Sequence, residues 1–139
     1  MRLALGSDLH LECGFLDLDN TDNADVLILA GDILVAADIN PKHEWFFENI
    51  SKEFKNTIYI SGNHEGYHGD FQKVNEQILT LLKPYSNIHY LHRGNEIKTI
   101  DDVTFIGSTL WTSMNNRDPI VMEYVNRCMN DFRIVANGP

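Results

Sequence analysis

Three short polar clusters hold the residues best suited to chemistry: Asp8-Leu9-His10, Gly31-Asp32 and Gly62-Asn63-His64-Glu65. Carboxylate and imidazole suit divalent Mn, Fe or Zn. Each cluster alone has an ordinary explanation, because Asp at a strand end and Gly-Asn are usual turn formers and a single His is usually a surface or satisfied core residue. Each cluster, however, follows a short apolar run. If those runs are neighbouring parallel strands, Asp8, His10, Asp32, Asn63 and His64 arrive at the same end of one sheet, a selection that turn chemistry does not require. The period of two between Asp8 and His10 lets both point one way on an extended chain. A second pattern overlaps the third cluster. His64-Glu65-Gly66-Tyr67-His68 fits H-E-x-x-H, in which two histidines one helical turn apart bind zinc and the glutamate activates water. That motif works only on a helix, and Gly66 inside it, with Gly62 before and Gly69 after, would each cost a helix interior about 1 kcal/mol. A zinc protease therefore ranks low.

The elements that must position these clusters alternate. Leu3-Ala4-Leu5-Gly6-Ser7 and Val26-Leu27-Ile28-Leu29-Ala30 are apolar runs that end in polar residues, the second with the character of a strand covered on both faces. Asn40-Pro41 supplies an N-cap and a first-turn proline for an amphipathic helix over residues 41–55, with Phe46, Phe47, Ile50 and Phe54 at helical spacing. Residues 57–60 read as a third strand. Asp70 can cap a second helix carrying Phe71, Val74, Ile78, Leu81 and Leu82, which Pro84 stops. The order βαβα predicts an α/β fold with a parallel sheet and binding chemistry at the carboxyl ends of its strands. Beyond Pro84, residues 88–91, 96–100 and 103–107 read as strands joined by turns at Gly94-Asn95 and Asp101-Asp102, a shift toward antiparallel pairing. Asp118-Pro119 opens a last helix through Met129, and residues 132–135 begin a further element. Core packing is the reading for most of the aromatic residues; for Trp111, which follows a strand and precedes polar Thr112 and Ser113, it is preferred over a place at the site mouth.

The three clusters together resemble the calcineurin-like metallophosphoesterase superfamily, whose first sequence blocks are Asp-x-His, Gly-Asp and Gly-Asn-His-(Asp/Glu). The match holds in content, order and spacing and covers residues 1 to about 112, since Gly107-Ser108-Thr109-Leu110-Trp111-Thr112 also looks like small bacterial members. The resemblance implies a β-sandwich flanked by helices and hydrolysis of a phosphate mono- or diester at a dinuclear metal site. Two cations about 3.5 Å apart polarise a phosphoryl oxygen, bring the pKa of a bridging water near neutrality and hold nucleophile and ester in line. By resemblance Asp8 and His10 bind the first Mn, Fe or Zn, Asp32 bridges both ions, and Asn63 gives its carbonyl oxygen to the second. His64 then stands by the leaving oxygen as general acid, and with Asn63 contacts the substrate.

Two departures from the family pattern stand out. Many members read Gly-Asp-x-x-Asp, the last carboxylate orienting the catalytic histidine, and here that position is Val35. The later blocks, a histidine for the second metal and a Gly-His-x-His, have no counterpart. The remaining histidines, His43, His68, His89 and His92, read as surface or strand residues. The expectation is a single domain over residues 1–139, incomplete at its C-terminal side and lacking the last strands of the sandwich, with self-association or a completing segment as the consequence. A non-catalytic module on the same fold is the rival reading.

Composition bounds the partners. The 139 residues carry 11 basic against 20 acidic side chains, a formal charge of −9 that repels polyanions and argues against extended nucleic acid. No segment reaches the roughly 18 consecutive apolar residues of a membrane span, and no apolar leader precedes Asp8. Cys13 and Cys128 lie far apart without a C-x-x-C spacing and read as reduced thiols, Cys13 packed, which points to the cytoplasm. A small phosphate ester held by metal cations is the partner these limits leave.

Overall fold

Four short strands, β1 (Leu3–Gly6), β2 (Val26–Ala30), β3 (Asn56–Ile60) and β4 (Ile88–Leu91), form one parallel sheet in sequence order. The computed structural model describes residues 1–138. Register decides what the sheet can carry. Gly6 pairs with Leu29 and Ala30 with Ile60, so the three strands end side by side and the polar clusters begin within one strand spacing of each other. The α/β class is therefore as the sequence implies. One pairing differs from expectation: residues 88–91 join the parallel sheet beside β3 instead of opening an antiparallel meander. The helix α2 (Val74–Leu82), which buries Val74, Ile78, Leu81 and Leu82, provides the crossover that such a parallel strand needs.

The other crossover is α1 (Pro41–Glu53). Its start is a capping box in which Asn40 accepts from the Lys42 N–H and the His43 ring accepts from the Asn40 N–H at 3.1 Å. This role buries His43 completely, against the surface or strand reading of the sequence. Phe46, Phe47 and Ile50 face the sheet and join Leu27, Leu29 and Tyr59 in the main core. The Phe47 ring lies 5.3 Å from Phe46 and 5.7 Å from Tyr59, within the range of favourable aromatic pairs.

The opposite sheet face is covered only in part. An antiparallel hairpin, β5 (Ile97–Ile100) and β6 (Val103–Ile106), lays Ile100 and Phe105 over Val26, Ile58 and Leu91. Leu5 and Ile106 stay 73% and 76% exposed. After the hairpin come a single left-handed turn, α3 (Met114–Arg117), then α4 (Pro119–Cys128), capped by Asp118 onto the Ile120 and Val121 N–H groups, and α5 (Asp131–Ile134). Residues 134–136 are stitched to the loop after β3: His68 N–H donates to Ile134 at 2.9 Å, and Ala136 exchanges bonds with Gly69 and Phe71. Both cysteines are unpaired and exposed, so Cys13 is not the packed thiol expected. No helix among the described residues is long and apolar enough to cross a membrane.

Phe47 links helix, sheet and Tyr59, and its truncation leaves a cavity that neighbours on two layers cannot fill. Phe47→Ala should cost about 3–5 kcal/mol, read as a lower urea midpoint at unchanged slope. A loss under about 1 kcal/mol would show that α1 is not seated as described.

Candidate metal centre

The loop after β1 does not stay extended. Asp8 and His10 both take positive φ, 55° and 46°. Their side chains still converge, because the loop is laddered onto its neighbour: the N–H groups of Asp8, His10 and Leu11 donate to the carbonyls of Gly31, Asp32 and Ile33 at 3.0, 3.1 and 2.9 Å. Asp32 is left-handed as well, at φ 55°. A non-glycine residue in that region costs about 1–2 kcal/mol, and strain held by surrounding bonds in this way gathers at functional sites. Three such residues fall on the first two clusters.

The loops after β2 and β3 touch through glycine. Gly31 has φ 92°, and a Cβ there would come within 2.9 Å of the Gly62 nitrogen. A Cβ on Gly62 would fall 2.1 Å from Asp32 Oδ1. That oxygen accepts the His64 N–H at 2.9 Å, which fixes the carboxylate against the third cluster.

Glu65 holds the same two loops from beneath. It is buried, and its Oε1 accepts from the Ile33 N–H at 2.9 Å and the Tyr59 hydroxyl at 2.9 Å, while Oε2 accepts from Asp32 N–H at 3.1 Å and Gly62 N–H at 2.7 Å. Burial pushes its carboxyl upward and these bonds pull it back in part. Burial and the facing carboxylate push Tyr59 well above its ordinary value, so it stays a donor. Residues 64–66 form one 3-10 turn, after which Tyr67 is extended and His68 left-handed. The H-E-x-x-H pattern is thus not on an α-helix, and its glutamate is spent on structure.

Two groups of donor atoms result among the described residues. Ligand atoms of Asp8, His10 and Asp32 lie within 4.8 Å of one another, and so do those of His10, Glu12 and His64. Asn63 turns its Nδ2 to Asp131 Oδ1 at 2.8 Å and to the Tyr67 hydroxyl at 3.3 Å. His64 rests on the Tyr67 ring at 4.1 Å. His68, His89 and His92 join neither group: His68 is exposed, His89 reaches Asn56 from β4, and His92 stacks on Tyr90. Sequence reasoning missed Glu12 and Asp131. Glu12 lies two residues after His10, but the left-handed loop and not strand alternation brings it to the site, so its spacing carried no signal.

Beside the third cluster lie two clefts of about 510 and 460 Å³ that share Ser61, Gly62, Ser108, Thr109 and Trp111; of the candidate site residues Asn63 lines the smaller one. Trp111 is half exposed there, packed edge-on against Phe71 at 6.1 Å, so it lines a cleft and not the core. Ser61 is tied to Tyr90 at 3.0 Å and accepts from Thr109 at 2.6 Å. Burial holds the Tyr90 hydroxyl at about 12, so it does not ionise near neutrality.

The fold and site together define an α/β protein whose parallel strand ends gather carboxylate and imidazole groups in metal-binding proximity. The calcineurin-like phosphoesterase family model matches residues 1–132, and the chain belongs to that family. The match runs about twenty residues beyond the stretch that the sequence blocks cover, and takes in Asp131. An uncharacterized protein of Acanthamoeba polyphaga mimivirus is 30% identical over 93% of this chain and 50% of its own length. An uncharacterized metallophosphoesterase of Campylobacter jejuni is 32% identical over 74% of this chain and 27% of its own. The crystal structure of a phosphopantetheinyl hydrolase from Mycobacterium tuberculosis superposes with a TM-score of 0.69 at 16% identity, covering 99% of this chain and 56% of that one. The chain thus spans about half the length of the mimivirus relative and of the solved structure.

Two substitutions test this geometry. Glu65→Gln turns an amide NH2 toward two donors whichever way it flips, and should lower stability by at least about 1–3 kcal/mol in urea unfolding. Gly62→Ala should displace Asp32, so it should weaken divalent-metal binding in calorimetry more than it lowers the unfolding midpoint. Unchanged metal affinity there would contradict the close approach of Gly62 to Asp32.

Proposed function

We infer that this chain contributes the Asp8, His10, Asp32, Asn63 and His64 side of a metal-dependent phosphoesterase site acting on a small phosphate mono- or diester. The observation that carries the reading is the convergence of Asp8, His10 and Asp32 on strained backbone that a ladder of hydrogen bonds keeps in place. Two carboxylates and an imidazole are a fitting donor set for Mn, Fe or Zn. A divalent ion held by these three residues supplies Lewis acidity toward a phosphoryl oxygen and makes water a nucleophile near neutral pH.

The residues of the chain do the rest. Asp32, central among the clusters, is the ligand suited to a shared position between two ions. Asn63 has its Nδ2 engaged by Asp131, which presents its carbonyl oxygen as the atom for a second ion or for substrate. His64 donates a proton to the leaving oxygen, and its ring is kept in place by Tyr67. The cleft beside Gly62 and Trp111 accepts the alcohol part of the ester.

The exposed sheet face supports a further reading of the domain. Leu5, Ile106 and their neighbours would be covered by more strands, as the greater length of the relatives suggests, and residues 1–139 would then be one part of a larger sandwich. A scaffold that binds a partner without catalysis is the alternative on the same face, and metal content separates the two.

Asp32→Ala should remove most bound Mn or Zn in a calorimetric titration, whereas Asn63→Ala should weaken mainly a second equivalent. His64→Ala should keep its metal and slow aryl phosphate hydrolysis by about 10²–10⁴. Unchanged affinity in the first variant, or lost metal in the last, would reassign the residue concerned.

A further inference from the structure

Glu12 belongs to none of the three polar clusters and has no task in the reading above. Its Oε1 stands 2.9 Å from His64 Nδ1 and 3.1 Å from His10 Nδ1. The two ring nitrogens are 3.1 Å apart, on rings set edge to face at 4.4 Å. A bond between the two rings would need one Nδ1 to accept, whereas an ionised carboxylate oxygen accepts two bonds and takes both imidazoles as Nδ1 donors. Each ring then turns its Nε2 away from Glu12. The other oxygen, Oε2, is covered and has no hydrogen-bond partner. The Glu12 carboxylate is therefore engaged through the two histidines alone, and its place is set by the backbone, where its carbonyl accepts from Lys42 of α1 at 3.3 Å. Val35, three residues after Asp32, is buried and apolar, so no carboxylate stands there.

We propose that Glu12 is a positioning residue, one carboxylate that holds His10 and His64 together by their Nδ1 atoms and so aims one Nε2 at the metal group and the other at the leaving oxygen. A bond from a second-layer carboxylate fixes both the tautomer and the orientation of an imidazole ligand. Here a single oxygen does so for a ligand and for a proton donor, which ties the metal group to the acid at a fixed distance. The task of His64 rests on the phosphoesterase reading, whereas the shared contact does not.

The metal-free protein gives the first test, by long-range proton–nitrogen correlation of the imidazoles. The neutral rings of His10 and His64 should both carry their proton on Nδ1. Glu12→Ala should return both to mixed tautomers, and Glu12→Gln, whose amide oxygen can accept, should restore Nδ1 protonation in part. Titrated with Mn, Glu12→Ala should keep its stoichiometry and bind about 10–100-fold more weakly. Its kcat on phenyl phosphate should fall by about 10²–10⁴ with little change in KM, while 2,4-dinitrophenyl phosphate, whose leaving group needs no proton, should lose less than about tenfold. Unchanged tautomers in Glu12→Ala would overturn the proposal, and so would complete loss of metal, which would make Glu12 a ligand. If the unaltered protein, which holds one side of the site, hydrolyses neither ester, the tautomers and the Mn affinity decide the role of Glu12.

Discussion

The four bonds accepted by Glu65 are the constraint on which the rest of the site depends. A buried carboxylate is expensive unless every lone pair is matched, and here the matching donors come from two loops and one strand. Asp32, Ile33 and Gly62 give backbone N–H groups, and Tyr59 gives its hydroxyl from within β3. The charge therefore holds the second polar cluster against the third. It also ties the site to the core, because the Tyr59 ring packs on Phe47 of α1 on one side and on Tyr90 of β4 on the other, at 5.7 and 5.3 Å. Helix packing, sheet register and ligand placement thus meet at one side chain.

Glycine makes the closeness possible and Asp32 exploits it. The loops after β2 and β3 approach until a Cβ on Gly62 would strike Asp32 Oδ1. With that space empty, the carboxylate accepts the His64 N–H and sits between the other clusters. The left-handed conformations of Asp8, His10 and Asp32 cost stability, and the ladder from Asp8, His10 and Leu11 to Gly31, Asp32 and Ile33 offsets that cost. Convergence is therefore a property of the backbone before any metal is considered.

Local rules carried much of this from the sequence. The apolar runs at residues 26–30 and 57–60, the Asn40-Pro41 helix start and the Asp118 cap are decided by neighbours in the chain, and each is an element of the structure where the sequence places it. The polar clusters were legible because strand ends and turn residues are local too. What could not be read depends on partners far away in sequence. Nothing near Glu65 announces that its acceptors face Asp32 and Ile33, and an H-E-x-x-H reading used the same residue for another purpose. His43 seemed a surface histidine until its ring closed a capping box. Asp8 and His10 were expected to share a face by extended period, and they meet instead through left-handed turns that only the adjoining loop stabilises. The parallel pairing of β4 was hidden because an apolar strand four residues long carries no mark of its partner's direction.

The sheet places its least supported strand under Asp8 and His10. β1 is an edge strand, paired only with β2, and its outer leucines are open to water. Asp8 and His10 are delivered by this strand, so their positions depend on the loop ladder to residues 31–33 and on Leu9 and Leu11, which pack into the main core on either side of His10. Interactions that hold Asp8 and His10 to Asp32 are consequently also interactions that hold β1 to the sheet. Any ion that bridged those groups would bind the ordered arrangement and not the frayed one, and by linkage it would stabilise the strand in proportion to its excess over its dissociation constant. Occupancy of the site and order of the edge strand are in this sense one equilibrium. The acidic run Asp17, Asp19, Asp22 and Asp25 lies in the same connection from β1 to β2, where the Asp25 carboxylate accepts the Arg2 N–H at 2.6 Å, the Asp22 carbonyl accepts from the Arg2 guanidinium and the Asp17 carboxylate accepts from Asn49 of α1 at 2.8 Å. These bonds anchor the far end of the connection, as the ladder from Asp8, His10 and Leu11 anchors the near end.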